Sequence, residues 1–192
     1  MKTLTIFTPS YNRAYCLHKC YESLCRQSNK DFDWLIVDDG STDNTKELVD
    51  KWCTKDNGFS IRYIYKNNGG LHTAYNIAIE NIETELSMCI DSDDYVPDDG
   101  VEKILKFWNE YGSDEYAGIV GLDYDTNGNL IGDPLPNQKT VNLIDLLTGK
   151  YKLNNGDRKN VVRTSLYKSV APMKSFDNEK NKNYFIIVII FI

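Results

Sequence analysis

The chain has 192 residues, 41% of them hydrophobic and 26% charged, with 22 Lys and Arg against 28 Asp and Glu for a net charge of −6. These proportions describe one soluble globular domain and exclude a disordered chain, a collagen and a coiled coil. The acidic balance argues against general nucleic-acid binding, which needs a basic face, but not against a nucleotide held through a metal ion.

Thr3 to Thr8 predicts a β-branched strand. Beyond Pro9 and Ser10, Leu17, Cys20, Tyr21 and Leu24 recur at i, i+3, i+4 and i+7, which predicts an amphipathic helix. Trp34 to Val37 reads as a buried strand, and Asp38-Asp39-Gly40-Ser41 as the loop after it. Asn44 with Glu47 three residues on resembles a capping box opening a second helix. Ile61 to Tyr65 predicts a third strand, Asn67-Asn68-Gly69-Gly70 a loop, and the next stretch a helix with Ala74, Ile77 and Ala78 inward.

Leu86 to Ile90 predicts a fourth strand, ending abruptly in Asp91-Ser92-Asp93-Asp94. Pro97 and Asp98 open a helix carrying Val101, Ile104, Leu105 and Trp108 on one stripe. Strand and helix alternating in this way give an α/β fold with a mostly parallel sheet flanked by helices. Ala117 to Tyr124 predicts a further strand, and Asp125 to Asn129 a hairpin turn into Leu130-Ile131, an antiparallel excursion. From about Asp133 the pattern weakens; Leu143 to Leu147 reads as a short helix and Val161 to Tyr167 as a strand or helix edge.

The domain is thus expected over residues 1–170, with 171–192 an atypical tail. Tyr184 to Ile192 is nine residues without a charge, whereas a membrane-spanning helix needs about 20 apolar residues. Two readings stay open: a buried strand, or an aggregation-prone scar of truncation or frameshift. The odd set of five cysteines has no Cys-x-x-Cys pair and reads as reduced thiols of a cytosolic protein. His18 lies off the face shared by Cys16 and Cys20, which speaks against zinc. The start runs straight into strand-like sequence, so no targeting peptide is expected.

In an open α/β sheet, ligands bind outside the carboxyl ends of the strands. Those ends carry Pro9-Ser10-Tyr11-Asn12, Asp38-Asp39, the Gly69-Gly70 loop and Asp91-Ser92-Asp93-Asp94. Like charges as close as Asp91, Asp93, Asp94, Asp98 and Asp99 repel unless a cation or exposure relieves them. Hard divalent ions take oxygen ligands, and Mg²⁺ is often held by one or two carboxylates plus substrate phosphates. Asp91 and Asp93 therefore read as a metal–diphosphate site, and Asp98 and Asp99 as solvated charge with Asp98 capping the following helix. Asp38-Asp39 before Gly40 also fits an ordinary turn, Tyr11 either stacks on a base or packs, and the lone His72 reads as structural. Gly-x-Gly-x-x-Gly after the first strand and the P-loop pattern are both missing.

Four segments in order, Thr8-Pro9-Ser10-Tyr11-Asn12-Arg13, Val37-Asp38-Asp39-Gly40-Ser41-Thr42-Asp43, Asn68-Gly69-Gly70 and Ile90-Asp91-Ser92-Asp93-Asp94, resemble the family 2 glycosyltransferases of GT-A fold. Gly156-Asp157-Arg158 and Val162-Arg163-Thr164 resemble a segment of the bacterial polysaccharide branch. The resemblance implies an inverting enzyme moving a sugar from a nucleotide diphosphate sugar, a UDP-sugar by preference, to a saccharide or lipid-linked saccharide acceptor. It implies surface polysaccharide synthesis in the cytoplasm or at the inner face of the membrane, with room for peripheral membrane association.

By the same resemblance Pro9, Tyr11, Asn12, Arg13, Asp39, Asn68, Gly70 and Asp91 hold the donor nucleotide, and Asp93 binds Mn²⁺ or Mg²⁺. The metal offsets charge on the leaving phosphate. The acceptor-activating base of the family has Glu179 as its nearest candidate here, after which the chain turns to the apolar tail where an acceptor region is expected. An alternative is a nucleotide-binding remnant without turnover. A phosphohydrolase using Asp91 as nucleophile fits poorly, since that class puts its Asp-x-Asp after the first strand.

Overall fold

β1 (Leu4–Ser10), β2 (Phe32–Asp38), β3 (Ile61–Tyr65) and β4 (Leu86–Cys89) are joined through α1 (Leu17–Cys25), α2 (Thr45–Cys53) and α3 (Leu71–Asn81). α4 (Gly100–Tyr111), β5 (Gly118–Leu122), β6 (Arg158–Arg163) and α5 (Thr164–Val170) complete the described elements. This computed structural model describes residues 2–137, 139–142, 145, 148, 150 and 158–173. Among the described residues the sheet has six strands in the order β3-β2-β1-β4-β6-β5. β1 pairs in parallel with both β2 and β4, and β2 with β3. β6 is antiparallel to β4 and to β5.

Alternation along the strands builds two cores. Leu4 and Ile6 of β1 and Trp34 and Ile36 of β2 join Leu17 and Leu24 of α1, Val49 of α2 and Leu105 of α4 on one face. Phe7, Leu35 and Val37 meet Ala74, Tyr75 and Ala78 of α3 on the other. Because helices cover both faces, β1 is buried at every residue, the pattern expected of parallel strands in an α/β fold. Tyr21 and Trp52 stack with centroids 4.3 Å apart and fix α1 against α2. Such a pair is worth about 0.5–1.5 kcal/mol beyond its buried area. A smaller core of Val120, Val162, Tyr167 and Ile79 seats α5 under β5 and β6.

The chain steps from β1 outward to β2 and β3, then returns to β4 on the opposite side of β1. That reversal opens a crevice beyond the carboxyl ends of β1 and β4. Among the described residues, no helix is long and apolar enough to cross a membrane.

Several sequence expectations are corrected. The Asn44–Glu47 capping box does not form: Asn44 makes no side-chain cap bond, and the Asp43 carboxylate accepts from Thr45 N (3.1 Å) and Thr45 Oγ1 (2.6 Å) instead. Asp98 does not cap α4. The helix starts at Gly100, Gln27 Oε1 accepts from Val101 N at 2.9 Å, and Asp98 pairs with Arg26. β1 continues through Pro9 to Ser10; Pro9 is tolerated because the β4 ladder stops at Phe7, leaving β2 as its neighbour. The hairpin turn expected at Asp125 to Asn129 does form, with Asp125 N bonded to Asn129 O at 2.9 Å and Ile131 N to Asp123 O at 2.8 Å around the antiparallel bridge of Tyr124 with Leu130, but it lies outside the six-stranded sheet. The antiparallel strand of the sheet is β6, inserted between β4 and β5.

Of the short helix expected at Leu143 to Leu147, only Asp145 is described, and it is helical. Glu179, Gly156, Asp157 and the tail from Tyr184 lie outside the described residues.

Candidate active site

Each parallel strand delivers one wall of a cleft of about 430 Å³ at the switch point. It is lined by Pro9, Ser10, Tyr11 and Arg13 after β1, Asp39 after β2, and Asn68 and Gly70 after β3. Leu71 and Ala74 of α3 and Asp91, Ser92 and Asp93 after β4 close it. Every residue nominated from the sequence for the donor or metal, Glu179 aside, lies on this lining except Asn12.

Asn12 holds the loops together instead. Its backbone is left-handed at φ 53°, and its Oδ1 accepts from Thr42 N at 2.8 Å and Asp43 N at 3.3 Å. Its own N–H donates to Ser41 Oγ at 2.8 Å. Asp43 returns the link by accepting from Ala14 N at 3.1 Å. Burial works to raise the Asp43 pKa, but its bonds from the Thr45 side chain, Ala14 N and Thr45 N outweigh that and hold it below the ordinary carboxylate value.

Asp39 is the buried hub of the opposite wall, 4% exposed. Its carboxylate accepts from Gly69 N at 2.9 Å and Gly70 N at 2.8 Å, and its second counterpart is the Lys66 ammonium. Asn68 Nδ2 donates to the Asp39 carbonyl at 2.8 Å. Two successive backbone N–H groups and an ammonium balance a carboxylate that would otherwise be costly to bury. Gly40 permits the approach, at φ +84°, where a Cβ would lie 2.7 Å from Asn68 N. Asp38, beside it, accepts from Tyr63 Oη and Ser41 N.

On the third wall, Asp94 N bonds to the Asp91 carbonyl at 3.1 Å, closing a turn with buried Ser92 and exposed Asp93 at its centre. Arg13 Nη1 stands 3.8 Å from Asp93 across the cleft, both side chains about half exposed (40% and 56%). An ion pair that wet contributes little to stability. Lys159 of β6 reaches Asp94 at 2.7 Å, Asp91 at 3.4 Å and Asp123 at 4.0 Å. Burial works to lower the Lys159 pKa; the Asp94 bond and the charges of Asp91, Asp94 and Asp123 prevail and raise it. The ammonium is therefore charged throughout the physiological range.

Among the described residues no three His, Cys, Asp or Glu side chains are arranged as a ready metal site. Asp93 nevertheless suits a hard divalent ion that takes the rest of its oxygens from a bound diphosphate and water. Cys16 and Cys20 are buried free thiols, and burial, its leading cause, pushes the Cys20 pKa up to about 12. His72 is buried in α3.

Lys66 and Lys159 were missed from the sequence. Lys66 carried a readable signal, since it directly precedes the Asn-Asn-Gly-Gly loop at a strand end. Lys159 carried none, being 65 residues from Asp94. Asn76 was missed likewise: its side-chain amide donates to Met173 O (2.9 Å) and accepts from Met173 N (2.7 Å), tying the segment after α5 to the helix that lines the cleft.

A doubly covered, mostly parallel sheet with an acid-walled cleft at its switch point defines an α/β domain of GT-A type. Residues 5–184 match glycosyl transferase family 2, and the chain belongs to that family. It is 34% identical over 115 residues to glycosyltransferase GlyA of Streptococcus pneumoniae, a stretch that is 60% of this chain and 16% of that protein. Its fold is similar to that of Staphylococcus aureus TarS 1–349 in complex with UDP-GlcNAc, with a TM-score of 0.66 at 24% identity over 88% of this chain and 47% of that one. It is also similar to the mannosyltransferase PcManGT of Pyrobaculum calidifontis in complex with GDP-Man and Mn²⁺, with a TM-score of 0.66 at 15% identity over 89% of this chain and 47% of that one. The chain thus spans less than half the length of these relatives.

Proposed function

We propose that this chain forms the donor-binding part of an inverting glycosyltransferase that moves a sugar from a UDP-sugar to a saccharide acceptor in bacterial surface polysaccharide synthesis. The observation that carries the reading is the convergence of four strand ends on one cleft, with Asp39, Asp91 and Asp93 on its walls and Arg13 beside Asp93. In this reading Pro9, Tyr11, Asp39, Asn68, Gly70 and Asp91 hold the base and ribose, Tyr11 offering an exposed ring face for stacking. Support for a uridine nucleotide comes from the similar TarS structure, which holds UDP-GlcNAc.

Asp93 would hold Mn²⁺ or Mg²⁺ against the diphosphate, where the ion supplies Lewis-acid stabilisation of the departing phosphate. Arg13 is placed to pair with a phosphate oxygen beside Asp93. The loop network around Asn12 and Asp39 fixes these groups before the donor arrives, so little reorganisation accompanies binding. Glu179 is the proposed acceptor base.

The test is a transfer assay with a panel of UDP-sugars and oligosaccharide acceptors, following UDP release and the anomeric configuration of the product. Metal-dependent release with an inverted product supports the reading. Tight UDP binding without transfer to any acceptor would leave a donor-binding module without turnover, and absence of nucleotide binding would overturn the reading.

A further inference from the structure

Lys159 does not line the cleft, yet its ammonium is the positive charge against which the cleft's acidic wall is assembled. It sits on a strand flanked on both sides, paired with Gly121 of β5 and two residues from Val161, the partner of Met88 in β4. Its backbone is therefore fixed, and its side chain, 22% exposed, has little freedom to leave. From there it ties the first and last residues of the Asp91–Asp94 turn and reaches Asp123 as well. Asp93, at the turn's centre, stays outside this arrangement, and half-exposed Arg13 stands 3.8 Å from it.

We propose that Lys159 is the resident counter-ion of this acidic wall, and that it makes divalent-metal binding at Asp93 conditional on the nucleotide's diphosphate. The inference rests on the donor-site reading above. With Asp91, Asp94 and Asp123 engaged by the ammonium, one carboxylate remains for an incoming cation. A single carboxylate holds a strongly hydrated divalent ion weakly, and phosphate oxygens must complete its shell. The same ammonium repels a second cation nearby. Lys159 is accordingly a positioning residue: it sets the turn that presents Asp93 and keeps the neighbouring carboxylates from gathering metal on their own.

The experiment is calorimetric titration of Mn²⁺ alone into the full chain, then of Mn²⁺ in the presence of UDP, for the wild type, Lys159→Met and Lys159→Arg. Removing the positive charge that ties the two ends of the turn presenting Asp93 is expected to tighten nucleotide-free Mn²⁺ binding by at least about tenfold. Lys159→Arg, which keeps the charge, is expected to match the wild type. A Lys159→Met chain with native circular dichroism that binds Mn²⁺ alone no more tightly than the wild type would overturn the proposal. So would tightened binding in Lys159→Arg. Lys159→Gln repeats the comparison if the Met variant does not fold, and failure of both neutral variants beside a folded Arg variant would make the charge structural and overturn the conditional role. Wild type that binds no UDP at all would refute the donor-site reading instead, while the nucleotide-free comparison still judges Lys159.

Discussion

The Lys66 ammonium is bonded to the buried carboxylate of Asp39, a contact set by strand register. Asp38 pairs with Tyr65 in the β2–β3 ladder, so the next residue of each strand, Asp39 and Lys66, meets just beyond the sheet's edge. The two side chains are little exposed, 17% for Lys66 and 6% for Asp39, and Gly69 and Gly70 donate to the same carboxylate. One salt bridge thereby joins the loops after two strands and shapes a wall of the cleft.

Replacing Lys66 with Met leaves that carboxylate buried beside backbone donors without its counter-ion. Breaking a buried pair from one side costs about 3–5 kcal/mol, and with Gly69 and Gly70 still donating the lower end is expected. In a domain of this size each kcal/mol lowers Tm by roughly 2–4 °C, so a loss near 10 °C is expected in a thermal melt. A loss under about 2 °C would show that the glycine amides alone satisfy Asp39.

Asn12 gives a second test of how the walls are held. Asn12→Ala loses the acceptor for Thr42 N and Asp43 N and places a Cβ residue without local hydrogen bonding at φ 53°. The two effects together are expected to cost about 2–3 kcal/mol. Asn12→Gly removes the same bonds but relaxes the backbone, so urea midpoints should rank wild type, then Gly, then Ala. Equal midpoints for Gly and Ala would mean that the left-handed backbone contributes no strain.

The acid limb of stability has a defined sign at Asp43. Its folded pKa is depressed, so the group binds protons more weakly folded than unfolded. The stability it contributes is present above the ordinary carboxylate pKa of about 3.9 and is lost as pH falls through the lower folded value. Asp43→Asn should therefore flatten the decline in urea midpoint below about pH 4 while lowering the midpoint at neutral pH. An unchanged acid slope in the variant would place the decline on other carboxylates.

Much of this architecture was legible from apolar periodicity. Leu17, Cys20, Tyr21 and Leu24 are all buried in α1, and Trp34 to Val37 form the heart of β2. The strand-end segments were legible for the same reason: a parallel sheet gathers its carboxyl ends on one edge whatever the details of packing. What sequence order concealed was partnership at long range. The local turn at Asp125 to Asn129 was legible and carries an antiparallel bridge, but nothing near Arg158 to Arg163 marks that strand as lying between β4 and β5. Caps failed similarly, because Gln27 reaches α4 from 74 residues away at Val101 while the adjacent Asp98 turns to Arg26. The resemblance assigns Asn12 to the donor nucleotide, and only the folded geometry reveals that its side chain also bonds the neighbouring loop.

In the proposed reading, the cleft between β1 and β4 takes a nucleotide diphosphate through a metal ion at Asp93. The most direct measurement is calorimetric titration of UDP into the full chain with and without Mn²⁺, repeated on Asp93→Ala. Mn²⁺ is expected to tighten UDP binding by at least about tenfold, as a bridging divalent cation between carboxylate and phosphates should. Asp93→Ala is expected to abolish that gain while keeping the metal-free affinity within about twofold, since the proposed base and ribose contacts remain. UDP binding that is indifferent to Mn²⁺, or a gain that survives in Asp93→Ala, would contradict the metal-bridged reading.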